Sequence, residues 1–208
     1  MNEEVIFDGI KRAINYLKEK RKFLDKINVF PVEDNDTGDN LFETLNQAFK
    51  RCNKGTENFL KKLGEEMFFT ARGNSGLIIS QFFLGFLENL NGKKNIDFEV
   101  FLKAFEKGRE KAYEAVNKPM EGTILTAIRE TESTLRDFFK RKMDFYDSLK
   151  LSLKKCEETV LKTKEMLKEL KKKNVPDAGA YGFYFIYKGI VESYEAYRNR
   201  SNNIKEGN

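Results

Sequence analysis

YDSLKLSLKKCEETVLKTKEMLKEL, residues 146–170, sets the fold class. Tyr146, Leu149, Leu153, Cys156, Val160, Thr163, Leu167 and Leu170 follow one another in steps of three and four. That spacing lines one face of a helix and predicts a single helical rod over 146–170, buried along the stripe. The same period recurs outward along the chain. Ile6, Ile10, Ala13, Leu17 and Leu24 mark a helix over 4–24, and further helices are expected over 38–50, 57–70 and 75–90. Asp97 is a good N-cap for a helix reaching about Asn117, with Phe101, Phe105, Ala112 and Ala115 on one face. Another is expected over 122–141. A last one over 178–198 carries Phe183, Ile186, Ile190, Tyr194 and Tyr197. Strand-period alternation is missing, and the three prolines, Pro31, Pro119 and Pro176, fall between periodic segments. The expectation is an all-α domain of about eight helices over residues 1–200, with a disordered tail at 201–208. Most of the nineteen phenylalanines sit on apolar stripes and read as core.

Composition narrows the chemistry. Lysine and arginine exceed aspartate and glutamate by 38 to 33, a net charge of +5 that suits a solvated surface better than a nucleic-acid groove. The densest basic run, Lys171–Lys172–Lys173, closes a helix, where cations favour the macrodipole. Two distant cysteines, Cys52 and Cys156, give no disulfide framework and suit a reducing cytoplasm. Neither a signal-peptide pattern nor a membrane-length apolar run is present. The chain has no histidine, which excludes His-based triads, His–Cys zinc sites and a histidine general base. Chemistry must therefore run on carboxylates, hydroxyls, cations, backbone amides or a bound metal.

Four helix junctions break the pattern with small and polar residues. NVFPVEDNDTGDN (28–40) holds Glu33, Asp34, Asp36 and Asp39 within seven residues. Oxygen ligands this close suit a hard cation shared with phosphates, but taken alone the stretch reads more readily as an Asx-type turn with Asp39 or Thr37 as a helix cap. ARGNSG (71–76) joins Arg72, Gly73, Asn74, Ser75 and Gly76 to an apolar helix. It reads as an anion-binding helix start or as a plain cap. PMEGTIL (119–125) opens a helix at Thr123, and VPDAGAYG (175–182) places Asp177, Gly179 and Gly182 at another start; singly, each reads first as a capped turn between helices. Convergence of all four at one end of the bundle would make a Mg-nucleotide site, with carboxylates on the metal and amides on the phosphates.

The first stretch closely resembles NVFPVPDGDTGTN, a signature of the N-terminal kinase domain of bacterial fatty acid kinases. ARGNSGLIISQFF, EGTILTAI and VPDAGAYGF resemble that domain's remaining blocks in the same order. More distantly the chain is similar to the ATP-binding subunit of dihydroxyacetone kinase, the DhaL or DAK2 domain. The resemblance runs from near residue 1 to about residue 200. It implies an antiparallel up-and-down helical barrel with Mg²⁺ and ATP or ADP at one end. Asp34 and Asp36 would hold metal, with Asn28 a weaker ligand. Thr37, Gly38 and Asn40 would line the nucleotide, and Gly73, Asn74, Ser75 and Gly76 its phosphates. Thr123, Asp177 and Gly179 would complete the pocket, with Arg72 as a transition-state or partner contact.

In such kinases the acyl chain arrives on a separate fatty-acid-binding, DegV-like protein, and its carboxylate becomes an acyl phosphate. A carboxylate is already deprotonated at neutral pH, so the missing histidine is no obstacle. The resemblance also leaves room for a homodimer. The alternatives are a dihydroxyacetone-kinase-like component acting on a small hydroxyl compound and a non-catalytic nucleotide-binding regulatory module. This sequence departs from the pattern at Glu33 for proline, Asn35 for glycine, Asp39 for threonine and Ala180 for glycine. Asn tolerates the left-handed turn; the extra acids threaten to enter the metal shell or weaken phosphate binding.

Overall fold

The computed structural model describes residues 1–52, 55 and 57–206, with side chains through residue 201. Nine α-helices and no strand occur among them: α1 (Glu3–Lys26), α2 (Thr37–Arg51), α3 (Phe59–Phe69), α4 (Gly73–Leu90), α5 (Phe98–Glu114), α6 (Ile124–Lys140), α7 (Phe145–Lys162), α8 (Lys168–Lys173) and α9 (Ala178–Glu206). A 3₁₀ turn, Thr163–Glu165, separates α7 from α8. Side-chain caps start several helices. Asn2, Asp97 and Asp144 accept backbone N–H groups of α1, α5 and α7, and the cap expected at Asp97 is in place.

Long helices that follow one another run antiparallel, and the ring closes where α9 packs on α1. Ser193 Oγ donates to the Val5 carbonyl at one end of that seam, and the Phe23 and Tyr181 rings meet edge-on at the other. Between them the two backbones approach closely. A Cβ on Gly9 would sit 2.8 Å from the Ile190 Cα, and one on Gly189 would sit 2.6 Å from the Ala13 nitrogen. The barrel is filled with aromatic rings from α4, α5 and α9. Phe82, Phe83, Phe86, Phe101, Phe105, Phe183 and Tyr187 are all fully buried, with Phe82 edge-on to both Phe105 and Phe183. Each such ring contributes roughly 1.5–3 kcal/mol of burial, so the expectation that phenylalanine is mainly core holds for the interior. Phe23, Phe68, Phe69 and Phe139 are exceptions that face solvent. No helix among the described residues is long and apolar enough to cross a membrane.

Two expectations change. The rod over 146–170 is broken: α7 stops at Lys162, and Leu167 is extended (φ −117°, ψ 140°) before α8. The break follows from buried Thr163, whose hydroxyl donates to the Val160 carbonyl and accepts the Asp177 N–H at 2.9 Å. Chain from the next junction thus enters where another helical turn would run. At the other end, α9 extends through Glu206, into the stretch expected to be a disordered tail, while 207–208 lie outside the described residues. Residues 199–206 contain neither Gly nor Pro to stop a helix.

Candidate functional site

Alternating direction puts the starts of α2, α4, α6 and α9 at one end of the barrel, and a cleft of about 540 Å³ opens between them. Thr37 and Asn40 enter it from α2, Gly73, Asn74 and Ser75 from α4, Thr123 and Ile124 from α6, and Asp177 and Gly179 from α9. Asp34 and Asp36 reach it from the preceding loop. Phe30, Val32, Leu77, Ile78, Val116, Met120 and Leu125 supply an apolar surface. The four junctions therefore converge.

Buried Asn28 builds the acidic loop. Its Nδ2 donates to the Val32 carbonyl at 2.7 Å and to Asp34 Oδ1 at 3.1 Å. Its Oδ1 accepts the Thr37 N–H at 3.1 Å and the Thr37 hydroxyl. Asn35 takes the left-handed conformation (φ 56°) that lets Asp34 and Asp36 both turn toward the cleft. Burial raises the Asp36 carboxyl; Asn40 partly offsets that and the neighbouring Asp34 charge adds to it. A cation would relieve this repulsion. The two departures that add acid point elsewhere: Glu33 pairs with Lys173 at 2.8 Å, and Asp39 with Arg21 at 2.5 Å. No group of three or more acidic or thiol side chains with metal-holding geometry occurs among the described residues. The donor set fits a hexacoordinate hard cation that keeps water and phosphate in its shell, as Mg²⁺ does.

The four helix starts are not equivalent. At α2, the Asp25 carboxylate at the end of α1 accepts Gly38 N–H at 2.7 Å and Asp39 N–H at 3.1 Å, while Asn28 holds Thr37 N–H. At α6, Thr123 Oγ1 accepts Leu125 N–H at 3.3 Å. Asp177 caps α9 through Ala180 N–H at 2.7 Å, and the backbones of Gly179 and Ile124 also donate to it, tying α9 to α6. Burial nevertheless pushes the Asp177 carboxyl up to about 7. At α4 no side chain caps the start, and among the described residues no protein acceptor takes the N–H of Gly73, Asn74 or Ser75. Gly73 is left-handed (φ 58°), with the Asn40 amide filling the space a Cβ would occupy. Three starts are satisfied internally, whereas α4 keeps its N–H groups and positive dipole end for an anion.

A model of the DAK2 domain family matches residues 31–192. The chain belongs to the DAK2 domain family. This DAK2 domain is 32% identical over 196 residues to an uncharacterized protein of Staphylococcus epidermidis, covering 92% of this chain and 36% of that protein. It is 33% identical over 205 residues to an uncharacterized protein of Mycoplasma pneumoniae, covering 93% and 37%. The chain thus spans little more than a third of the length of these relatives. Its fold is that of the dihydroxyacetone kinase from C. freundii solved in complex with AMP-PNP and Mg²⁺, with a TM-score of 0.65 at 16% identity over 93% of this chain and 34% of that one. The native form of that kinase gives 0.56 at 17% identity.

Of the residues singled out from the sequence, this DAK2 domain gathers Asn28, Asp34, Asp36, Thr37, Asn40, Gly73, Asn74, Ser75, Thr123, Asp177 and Gly179 on the cleft. Three others that the resemblance assigned to the site do not line it. Arg72 is exposed and uses its backbone N–H on Thr44 Oγ1 at 3.1 Å. Gly38 lies against the Arg21 carbonyl, and Gly76 against Thr44 Oγ1, so these glycines serve close helix packing. Asn28 is spent on the loop: both partners of its oxygen come from Thr37, which leaves it a scaffold rather than an open metal ligand. Sequence reasoning missed Asp25, which looked like one more charge on a polar helix. It also missed the α5–α6 segment with Val116, Met120 and Lys118, the one cation on the cleft wall among the described residues.

Proposed function

We propose that this DAK2 domain binds Mg-ATP and transfers its terminal phosphoryl group to a substrate presented by a partner protein, most specifically a fatty acid carboxylate. The observation that carries the reading is one open helix start, α4, facing an acidic pair in a single cleft. Asp34 and Asp36 would hold Mg²⁺, which supplies charge neutralisation at the phosphates. The N–H groups of Gly73, Asn74 and Ser75 would receive phosphate oxygens, and the apolar surface would cover the nucleoside. With the Asp34–Asp36 pair outnumbering the one lysine on its wall among the described residues, the cleft would repel a polyphosphate that came without its metal. A substrate carboxylate needs no general base: its oxygen bonds to the terminal phosphorus, the bond to the bridging oxygen breaks, and ADP leaves with an acyl phosphate formed. The open mouth suits a substrate brought by a fatty-acid-binding, DegV-like carrier.

The shared fold with a dihydroxyacetone kinase favours a second reading, transfer to a small hydroxyl compound. Supplying fatty-acid-binding partners and dihydroxyacetone-binding partners in the same ATP assay separates the two. The binding step is tested first, by calorimetry with ADP in Mg²⁺ and in EDTA, on the unaltered protein and on Asp34→Ala and Asp36→Ala. Binding is expected only in Mg²⁺ and only with both aspartates, with helical circular dichroism unchanged. Equal affinity in EDTA, or in both variants, would refute the metal–nucleotide assignment.

A further inference from the structure

Glu121, in the junction that supplies Thr123, has no part in the site described so far, yet it gathers donors from two helices. The Tyr113 hydroxyl near the end of α5 donates to Oε1 at 3.1 Å. Arg129 Nη2 on α6 donates to Oε2 at 3.0 Å, as does the Thr126 hydroxyl. Thr126 is buried, and its oxygen accepts Gly122 N–H at 2.7 Å. Thr123 Oγ1 then donates to the Met120 carbonyl at 2.8 Å, closing the turn. Burial pushes the Glu121 carboxyl up, but hydrogen bonds from Thr126 and Arg129 outweigh it and hold the group below its usual range. The far side is fixed too. Gly122 has φ 88°, and a Cβ there would sit 2.8 Å from Met166 Cβ in the α7–α8 break.

The segment so clamped is the cleft wall that carries Val116, Lys118 and Met120. We infer that Glu121 is a positioning residue: through Thr126, Arg129 and Tyr113 it fixes this wall against the nucleoside end of the bound nucleotide. The inference rests on the nucleotide reading above, and it separates two halves of the site. The phosphate end belongs to the α4 start and the acidic loop, which the clamp does not touch; the largely apolar α5–α6 wall meets the base and sugar.

Calorimetry in Mg²⁺ with ADP, and with inorganic pyrophosphate read by its displacement of ADP, tests this on Glu121→Ala, Thr126→Val and Thr126→Ser, with thermal unfolding recorded for each. Glu121→Ala and Thr126→Val are expected to weaken ADP about tenfold and pyrophosphate less than twofold, because a displaced wall costs only the contacts it makes. Thr126→Ser, which keeps the hydroxyl, is expected to bind as the unaltered protein does. If Glu121→Ala does not fold, the Thr126 pair carries the test alone. Unchanged ADP affinity in Thr126→Val would overturn the inference. So would a parallel loss of ADP and pyrophosphate, or a failure of pyrophosphate to displace ADP from the unaltered protein. If the unaltered protein binds no ADP in Mg²⁺, the nucleotide reading itself falls and this inference with it.

Discussion

Replacing Asp177 by asparagine should remove a pH dependence that the fold now carries. The carboxyl is 5% exposed and is pushed from 3.8 up to about 7, because burial outweighs the N–H groups of Ala180, Ile124 and Gly179 that favour its charged form. A difference of about three units between folded and unfolded chain corresponds to about 4 kcal/mol. The sign follows from the neutral form being the one the fold prefers. The contribution is fully present below pH 3.8 and is lost as pH rises through 7. The side-chain amide of the Asp177→Asn variant cannot titrate. It adds a fixed offset, since it replaces one acceptor oxygen by a donor, but no slope. Urea unfolding at pH steps from 4 to 8 would therefore show the unaltered protein losing about 4 kcal/mol relative to Asp177→Asn, most steeply between pH 4 and 7. Comparing the two proteins cancels the other carboxylates, which they share. Parallel curves would refute the reasoning. A relative gain with rising pH would mean that the three N–H donors, rather than burial, govern this group.

Two further outcomes follow from the glycines. Gly73→Ala should cost roughly 1–2 kcal/mol for its left-handed backbone, seen as a lower melting temperature, and should weaken Mg-ADP binding at least tenfold, because the displaced Asn40 amide and α4 start are both cleft groups. Gly189→Ala should destabilise by roughly 1–3 kcal/mol, since its Cβ meets the α1 backbone at Ala13 and Gly9, yet leave nucleotide affinity as it was; melting and calorimetry on one sample check both halves.

The long helices were legible because burial on one face writes its period into the sequence, and the eight helices α1 to α7 and α9 follow that pattern. The break after Lys162 was not. Thr163, Leu167 and Leu170 turn inward whether the chain runs as one rod or as a 3₁₀ turn, an extended residue and a new helix, so the stripe looks the same either way. Neither Gly nor Pro interrupts 146–173 to mark it. In the site, Asp34, Asp36, Asn40 and Gly73 stand out because their chemistry is rare in a helical core. Glycine alone is ambiguous. Gly38 and Gly76 sit within the same motifs as true cleft residues but answer to helix packing, a demand that only the neighbouring backbone reveals. Val116 and Met120 carry no mark at all, since apolar residues that face a cleft look like those that face a core.

The even parity of the long helices also governs what can be attached to this domain. The short α8 segment does not reverse the chain's sense, so α1 begins and α9 ends on the side opposite the cleft, where Met1 reaches Ile96 and Ser193 reaches Val5. Anything fused to either terminus, whether an affinity tag, a fluorophore or another domain, starts its path there. To touch the cleft it must first travel the length of the barrel, about 27 Å for an 18-residue helix such as α4. Terminal labels should therefore leave the cleft mouth clear, while a reporter meant to test for the proposed carrier belongs on the α1–α2 or α5–α6 connection.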